Sequence, residues 1–162
     1  MLLFEAGGKI PGSIVRLEKN ARQVHVVARA LSRYPIDRLE IIVNGAVEHR
    51  LMGKGGPREL FFDARVAIPE SAWIAARVRG RVEPITYGGT APWNLHAHSS
   101  PVYVYKGSQP ILQRADATAM ADYIRFIAEE YRRKGDFKTE HQRQMLFSNL
   151  KRAEGYYEGL LA

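Results

Sequence analysis

Near Arg114 the spacing of apolar residues changes, and that change constrains the fold more than any other feature of the chain. Up to about residue 113, apolar and polar residues alternate in short runs broken by turn-forming residues, the period-two pattern of strands with one buried face. Beyond it, apolar residues recur every three or four positions, the period of a helix. The short runs leave no room for βαβ crossovers, so antiparallel sheets are predicted first and helices afterwards. The expected division is a β-sandwich domain over 1–113 and, over 114–162, a helical hairpin tail packing on the sandwich or on a partner.

Individual strands follow from the alternation. Residues 23–30 place Val24, Val26 and Ala28 on one face, with His25, Val27 and Arg29 on the other. Residues 37–43 turn Leu39, Ile41 and Val43 inward, with Arg38 and Glu40 facing out, and then reach Asn44-Gly45. That pair tolerates the positive φ of a type I′ hairpin turn, so residues 46–52 should return as the partner strand. Residues 59–68 form another strand ended by Pro69, and residues 71–80 alternate Trp73, Ala75 and Arg77 with Ile74, Ala76 and Val78. The stretch from 81 to 100, with Pro84, Gly88-Gly89 and Pro92, is expected to be an irregular but structured loop before a last strand at 101–105. Six or seven strands at this spacing predict an immunoglobulin-like antiparallel sandwich.

In the tail, Met120, Tyr123, Ile124, Ile127, Ala128 and Tyr131 make the apolar stripe of one helix, which Asp116 can cap and Gly135 can end. Thr139 with Gln142 three residues on announces a second helix, with Leu146, Leu150, Ala153, Tyr157 and Leu160 or Leu161 along one side. Such stripes need a partner surface.

Composition narrows the classes of function. With 46% hydrophobic and 25% charged residues the chain is globular in character, and at 162 residues it can bury a core without staples. It has no cysteine, which excludes disulfides, thiolate metal sites and cysteine nucleophiles. The N-terminal apolar run lacks a basic n-region and ends after four residues, and no stretch approaches the roughly 18 to 20 apolar residues of a membrane helix, so a soluble chain without membrane partners is expected. The net charge is +7, and its excess lies in residues 1–113, which hold 15 basic and 9 acidic residues. There Arg16, Arg22, Arg29, Arg33, Arg38, Arg50 and Arg58 are spread out, with no aromatic-interleaved basic motif beside them, so nucleic acid is not an expected partner.

Catalysis needs a nucleophile, a base and a charge stabiliser in one cleft, and the residue types for such a set are sparse. His96-Ala97-His98 is the constellation of interest, because alternate strand residues project to one face and two imidazoles could grip a metal. No third ligand stands at a recognisable spacing, Glu83 being the nearest acid upstream, so no metal and no cofactor are expected. Ser99 and Ser100 lack the strained elbow of a nucleophile and suit a turn before Pro101. The glycine doublets 7–8, 55–56 and 88–89 lack the strand–helix setting of a phosphate loop. Tyr87, Trp93, Tyr103 and Tyr105 gather near the long loop, and Trp93 and Tyr103 are the candidate ligand-binding residues of a sugar-binding sandwich.

The order of three segments carries a resemblance: Pro35–Gly45 (PIDRLEIIVNG), Ser71–Val78 (SAWIAARV) and Ala97–Val104 (AHSSPVYV), followed by the two-helix tail. Together they resemble the region C-terminal to the catalytic domain in CehA/McbA-type bacterial metallohydrolases of the PHP (polymerase and histidinol phosphatase) superfamily. In that family the metal-binding histidines and acids lie in an N-terminal barrel, and nothing here looks like it, so the resemblance carries over no catalytic residue. It implies a non-catalytic accessory domain, with a hydrolase catalytic domain or a second copy of the chain as partner. A carbohydrate-binding module is the alternative expectation.

Overall fold

The computed structural model describes residues 1–82 and 93–162, with the backbone alone for Val82 and Trp93. It contains nine strands and two helices among the described residues: β1 (Leu2–Ala6), β2 (Ile14–Leu17), β3 (Gln23–Leu31), β4 (Ile36–Val43), β5 (Ala46–Met52), β6 (Glu59–Ala67), β7 (Ala72–Val82), β8 (Trp93–His98), β9 (Val102–Lys106), α1 (Arg114–Lys134) and α2 (Glu140–Leu161). They form two compact units, Met1–Ile111 and Leu112–Ala162.

The first unit is a β-sandwich. One sheet has the order β1-β3-β6, and the other β2-β9-β7-β4-β5, with β8 also paired to β7. The inward set predicted for 23–30 is realised: Val24, Val26 and Ala28 are buried from the first sheet, and Ala30 is buried with them. They share one core with Leu39, Ile41, Val43, Ile74, Ala76, Val102 and Val104 of the second. β-branched residues dominate that list because they pack well on a pleated, half-buried surface. Asn44 (φ 48°) and Gly45 (φ 88°) make the predicted turn between β4 and β5. The Asn44 side chain also accepts from the Trp73 N–H at 3.0 Å, which ties the turn to β7.

Three features depart from the expectation. The pairing is not wholly antiparallel, since β2 runs parallel to β9, with Val15 opposite Val104. Between β1 and β2, Gly7, Gly8 and Gly12 take positive φ and carry the chain from one sheet to the other. Residues 81–82 and 93–98, expected within an irregular stretch, are instead strand residues of the β7–β8 ladder; residues 83–92 of that expected loop lie outside the described residues. Glu40 does occupy the outer face, but it is buried there.

The second unit is the predicted helical hairpin. Thr139 caps α2 by accepting from the Gln142 N–H at 3.2 Å. Asp116 does not cap α1: it lies in the first turn, and Gln113 is the N-cap without a side-chain capping hydrogen bond. Gly135 ends α1 through its N–H to the Tyr131 carbonyl, at an extended φ of −67°. Arg125 joins the helices, reaching Glu154 at 2.7 Å and Glu158 at 2.6 Å, and these hydrogen bonds raise its already high pKa. The buried side of α1 is Ala117, Ala121, Ile124 and Ala128, so the stripe is displaced from the predicted one and Met120, Tyr123 and Tyr131 remain exposed. Small side chains let neighbouring backbone approach closely, which leaves the large ones at the rim.

Candidate functional site

The outer face of the six-stranded sheet gathers most of the chemistry. Register builds it: Glu40 lies opposite Arg77 on β7 and opposite Arg50 on β5. On the same face of β7 follow Arg79 and Arg81, opposite His96 and Asn94 of β8. Toward the other end of β7 lie Ala75, opposite Ile42, and Trp73, opposite Tyr103 of β9.

At the centre stands a single carboxylate with three guanidiniums. Glu40 Oε1 accepts from Arg38 Nε at 3.2 Å and from Arg50 Nε at 2.8 Å, and Oε2 accepts from Arg77 at 2.8 Å. The Glu40 side chain is 1% exposed, whereas those of Arg38 and Arg77 are about a third exposed and that of Arg50 about half. Burial on its own would raise the Glu40 pKa. The hydrogen bonds from Arg77 and Arg50, with the charges of Arg77 and Arg38, outweigh it and hold the carboxyl below its ordinary range. One anion cannot neutralise three cations, so the cluster stays positive.

Two depressions flank this cluster and share Arg77. A cleft of about 400 Å³ is lined by Asp37, Arg38, Arg77, Arg79, Arg81 and His96, with Asn94 and Leu95 at its wall. A groove of about 560 Å³ is lined chiefly by Ile42, Trp73, Ala75, Pro101 and Tyr103, with Arg77 and His98 at its charged end. Tyr103 is 38% exposed and lies in this groove. The Trp93 side chain, the other ligand-binding candidate, lies outside the described residues, as do Tyr87 and Glu83.

His96 and His98 do share a face of β8 and are exposed, yet their cross-strand neighbours are Arg79 and Arg77. Those cations oppose a metal ion, and among the described residues no group of three His, Asp or Glu side chains is placed to hold one. Ser99 joins the ladder: its N–H bonds Ala76 O at 2.9 Å and its Oγ accepts from the Ala76 N–H at 3.0 Å. Lys106, buried near the end of β9, donates Nζ to the carbonyls of Ile68 at 3.1 Å and Pro69 at 2.8 Å, while its N–H bonds the Ser71 hydroxyl at 2.9 Å. That network fastens β9 to the loop before β7.

Glu40, Arg77 and Arg79 are site residues that the sequence does not mark on its own. A signal was present, since Arg77, Arg79 and Arg81 repeat at every second position and an acid interrupts the apolar centre of β4. What the sequence did not state is that these strands are neighbours. Comparison with protein-family models, with curated proteins and with solved structures gives no match.

Proposed function

We propose that this chain is a non-catalytic accessory module that works against a catalytic partner of the PHP-type metal-dependent hydrolase class. The observation that carries this reading is the apolar surface of the helical unit. α1 exposes Met120, Tyr123, Phe126 and Tyr131, α2 exposes Met145, Tyr156 and Leu160, and no residue of α2 is fully buried. Exposed rings and thioethers on both helices mark surfaces meant to be covered. The strand order adds support for an immunoglobulin-like reading, with the first, third and sixth strands in one sheet and the hairpin β4–β5 beside β7 in the other.

The test mixes the purified chain with a separately expressed PHP-type metallohydrolase barrel and measures mass by light scattering. The expected result is a complex of fixed stoichiometry that Tyr123→Glu together with Phe126→Glu abolishes. Turnover of phosphoesters or carbamate esters by the chain alone with manganese or zinc, lost when His96 and His98 are changed, overturns the reading. The groove between Trp73 and Tyr103 favours a second reading as a sugar-binding module. A glycan array run with wild type and Tyr103→Ala separates the two.

A further inference from the structure

The outermost strand of a sheet turns a row of N–H and C=O groups away from its neighbour, and that row can pair with another chain. Among the described residues the edge strands are unequal. β2 has four residues, β8 six and β1 five, and in β1 the groups of Ala6 are taken by Lys9. β5 has seven, but its pairing with β4 shifts register between Ile41 and Ile42. β6 runs nine residues, Glu59–Ala67, in unbroken register with β3 and without a proline. The Ser32 N–H bonds the Arg58 carbonyl at 2.9 Å, and the Ile68 N–H bonds the Arg22 carbonyl at 2.8 Å. With the register between them, those two bonds turn the backbone groups of Leu60, Phe62, Ala64 and Val66 toward β3. The groups of Glu59, Phe61, Asp63, Arg65 and Ala67 therefore point the other way, to an edge where no strand pairs among the described residues.

We propose that β6 pairs with β6 of a second copy of this chain, antiparallel about a two-fold axis at Ala64, so that two three-stranded sheets become one continuous sheet. A two-fold contact needs a self-complementary surface, and the side chains of β6 supply one. In this register Asp63 lies opposite Arg65 of the second copy, and the symmetry repeats the pair. Arg65 is exposed and has no acceptor among the described residues. Asp63 holds His25 through Oδ1 at 2.6 Å, which leaves Oδ2 for the incoming guanidinium. Phe61, 54% exposed, comes to lie opposite Ala67 of the second copy, and on the inner face the partly buried Phe62 opposite its Val66. Moving the axis to Asp63 or to Arg65 sets like charges against each other, and moving it to Phe62 sets the Phe61 ring against Asp63. Charge thus selects the register that the backbone permits. The inference does not depend on a hydrolase partner, which is assigned to the helical unit.

The test is sedimentation velocity on the full chain, with amide hydrogen exchange on the same samples. The ladder is short beside a standard interface, so half-dimerisation is expected on the order of 0.1 mM chain. As the dimer fills, the amides of Phe61, Asp63, Arg65 and Ala67 should exchange more slowly, and those of Leu2 and Phe4 on the edge of β1 should not change. Arg65→Asp and Asp63→Arg should each weaken self-association about tenfold or more, because each sets like charges across the axis. An equimolar mixture of these two variants should associate as tightly as wild type does with itself, since every charge then meets its opposite. A wild-type chain still monomeric at about 1 mM overturns the proposal, as does a dimer whose β6 amides exchange no more slowly. A dimer that Arg65→Asp leaves intact, but that Tyr123→Glu with Phe126→Glu abolishes, overturns it in favour of the helical unit. Two variants that fold but do not associate when mixed overturn the register.

Discussion

The two sheets of the sandwich treat charge on their outer faces in opposite ways. On the β1-β3-β6 sheet, acids and bases meet one to one: His25 with Asp63 at 2.6 Å and Arg29 with Glu59 at 2.7 Å, every partner about half exposed. On the other sheet three arginines converge on one buried acid, with Arg79 and Arg81 beyond them. Exposed pairs on a wet face contribute little, because water solvates each partner nearly as well as the other does. A buried carboxylate is different in kind, since desolvation makes it dependent on its partners and its partners on it. The contrast teaches where this molecule tolerates electrostatic imbalance, and such imbalance is a common mark of binding surfaces.

Removing the centre of the cluster should produce the largest effect. Glu40→Ala leaves three guanidiniums facing one another and is expected to lower unfolding free energy by roughly 2–4 kcal/mol, moderated by the solvent those arginines keep. Urea denaturation measures it, and a loss no larger than that of Asp63→Ala would erase the contrast between the sheets. Acid offers the same perturbation without mutation. Because the folded Glu40 carboxyl titrates below its ordinary range, its contribution is present above the unfolded value of about 4.3 and is lost as pH falls through the lower folded value. Wild type should therefore lose stability below that value more steeply than Glu40→Gln, in unfolding midpoints followed from neutral to acid pH.

Smaller changes sharpen the comparison. Asp63→Ala, which breaks the exposed pair with His25, should cost at most about 1 kcal/mol by the same denaturation. Arg79→Gln should shift stability by no more than about 0.5 kcal/mol, and toward stabilisation, because it removes a cation from an already positive neighbourhood. A clear destabilisation by Arg79→Gln would mean that its side chain serves the fold.

Much of the local architecture was legible in sequence. The Asn44-Gly45 turn and the Thr139 cap each depend on residues a few positions apart, and both stand where the spacing put them. The inward faces of β3 and β4 followed from alternation alone. β8 escaped notice because its strand character comes from pairing with β7, and its short run from Asn94 to His98 carries little β-branched content. In α1 the periodicity was correct, but the apolar stripe is wider than the buried strip, and spacing could not say which part of it would be covered. The candidate site is less legible still: Tyr103 stands out in the sequence as an aromatic near the long loop, whereas the spaced arginines read as a solvated strand face.

The sequence by itself determined the period of each segment, the position of its tight turns and the change from strand to helix near Arg114, because those depend on backbone preferences and on neighbours in the chain. Only the tertiary structure decided that Glu40 of β4, Arg50 of β5 and Arg77 of β7 would meet, and that β2 would lie parallel to β9. Charge pairing across strands is set by register between segments up to 37 residues apart, and register is chosen by how the whole core packs.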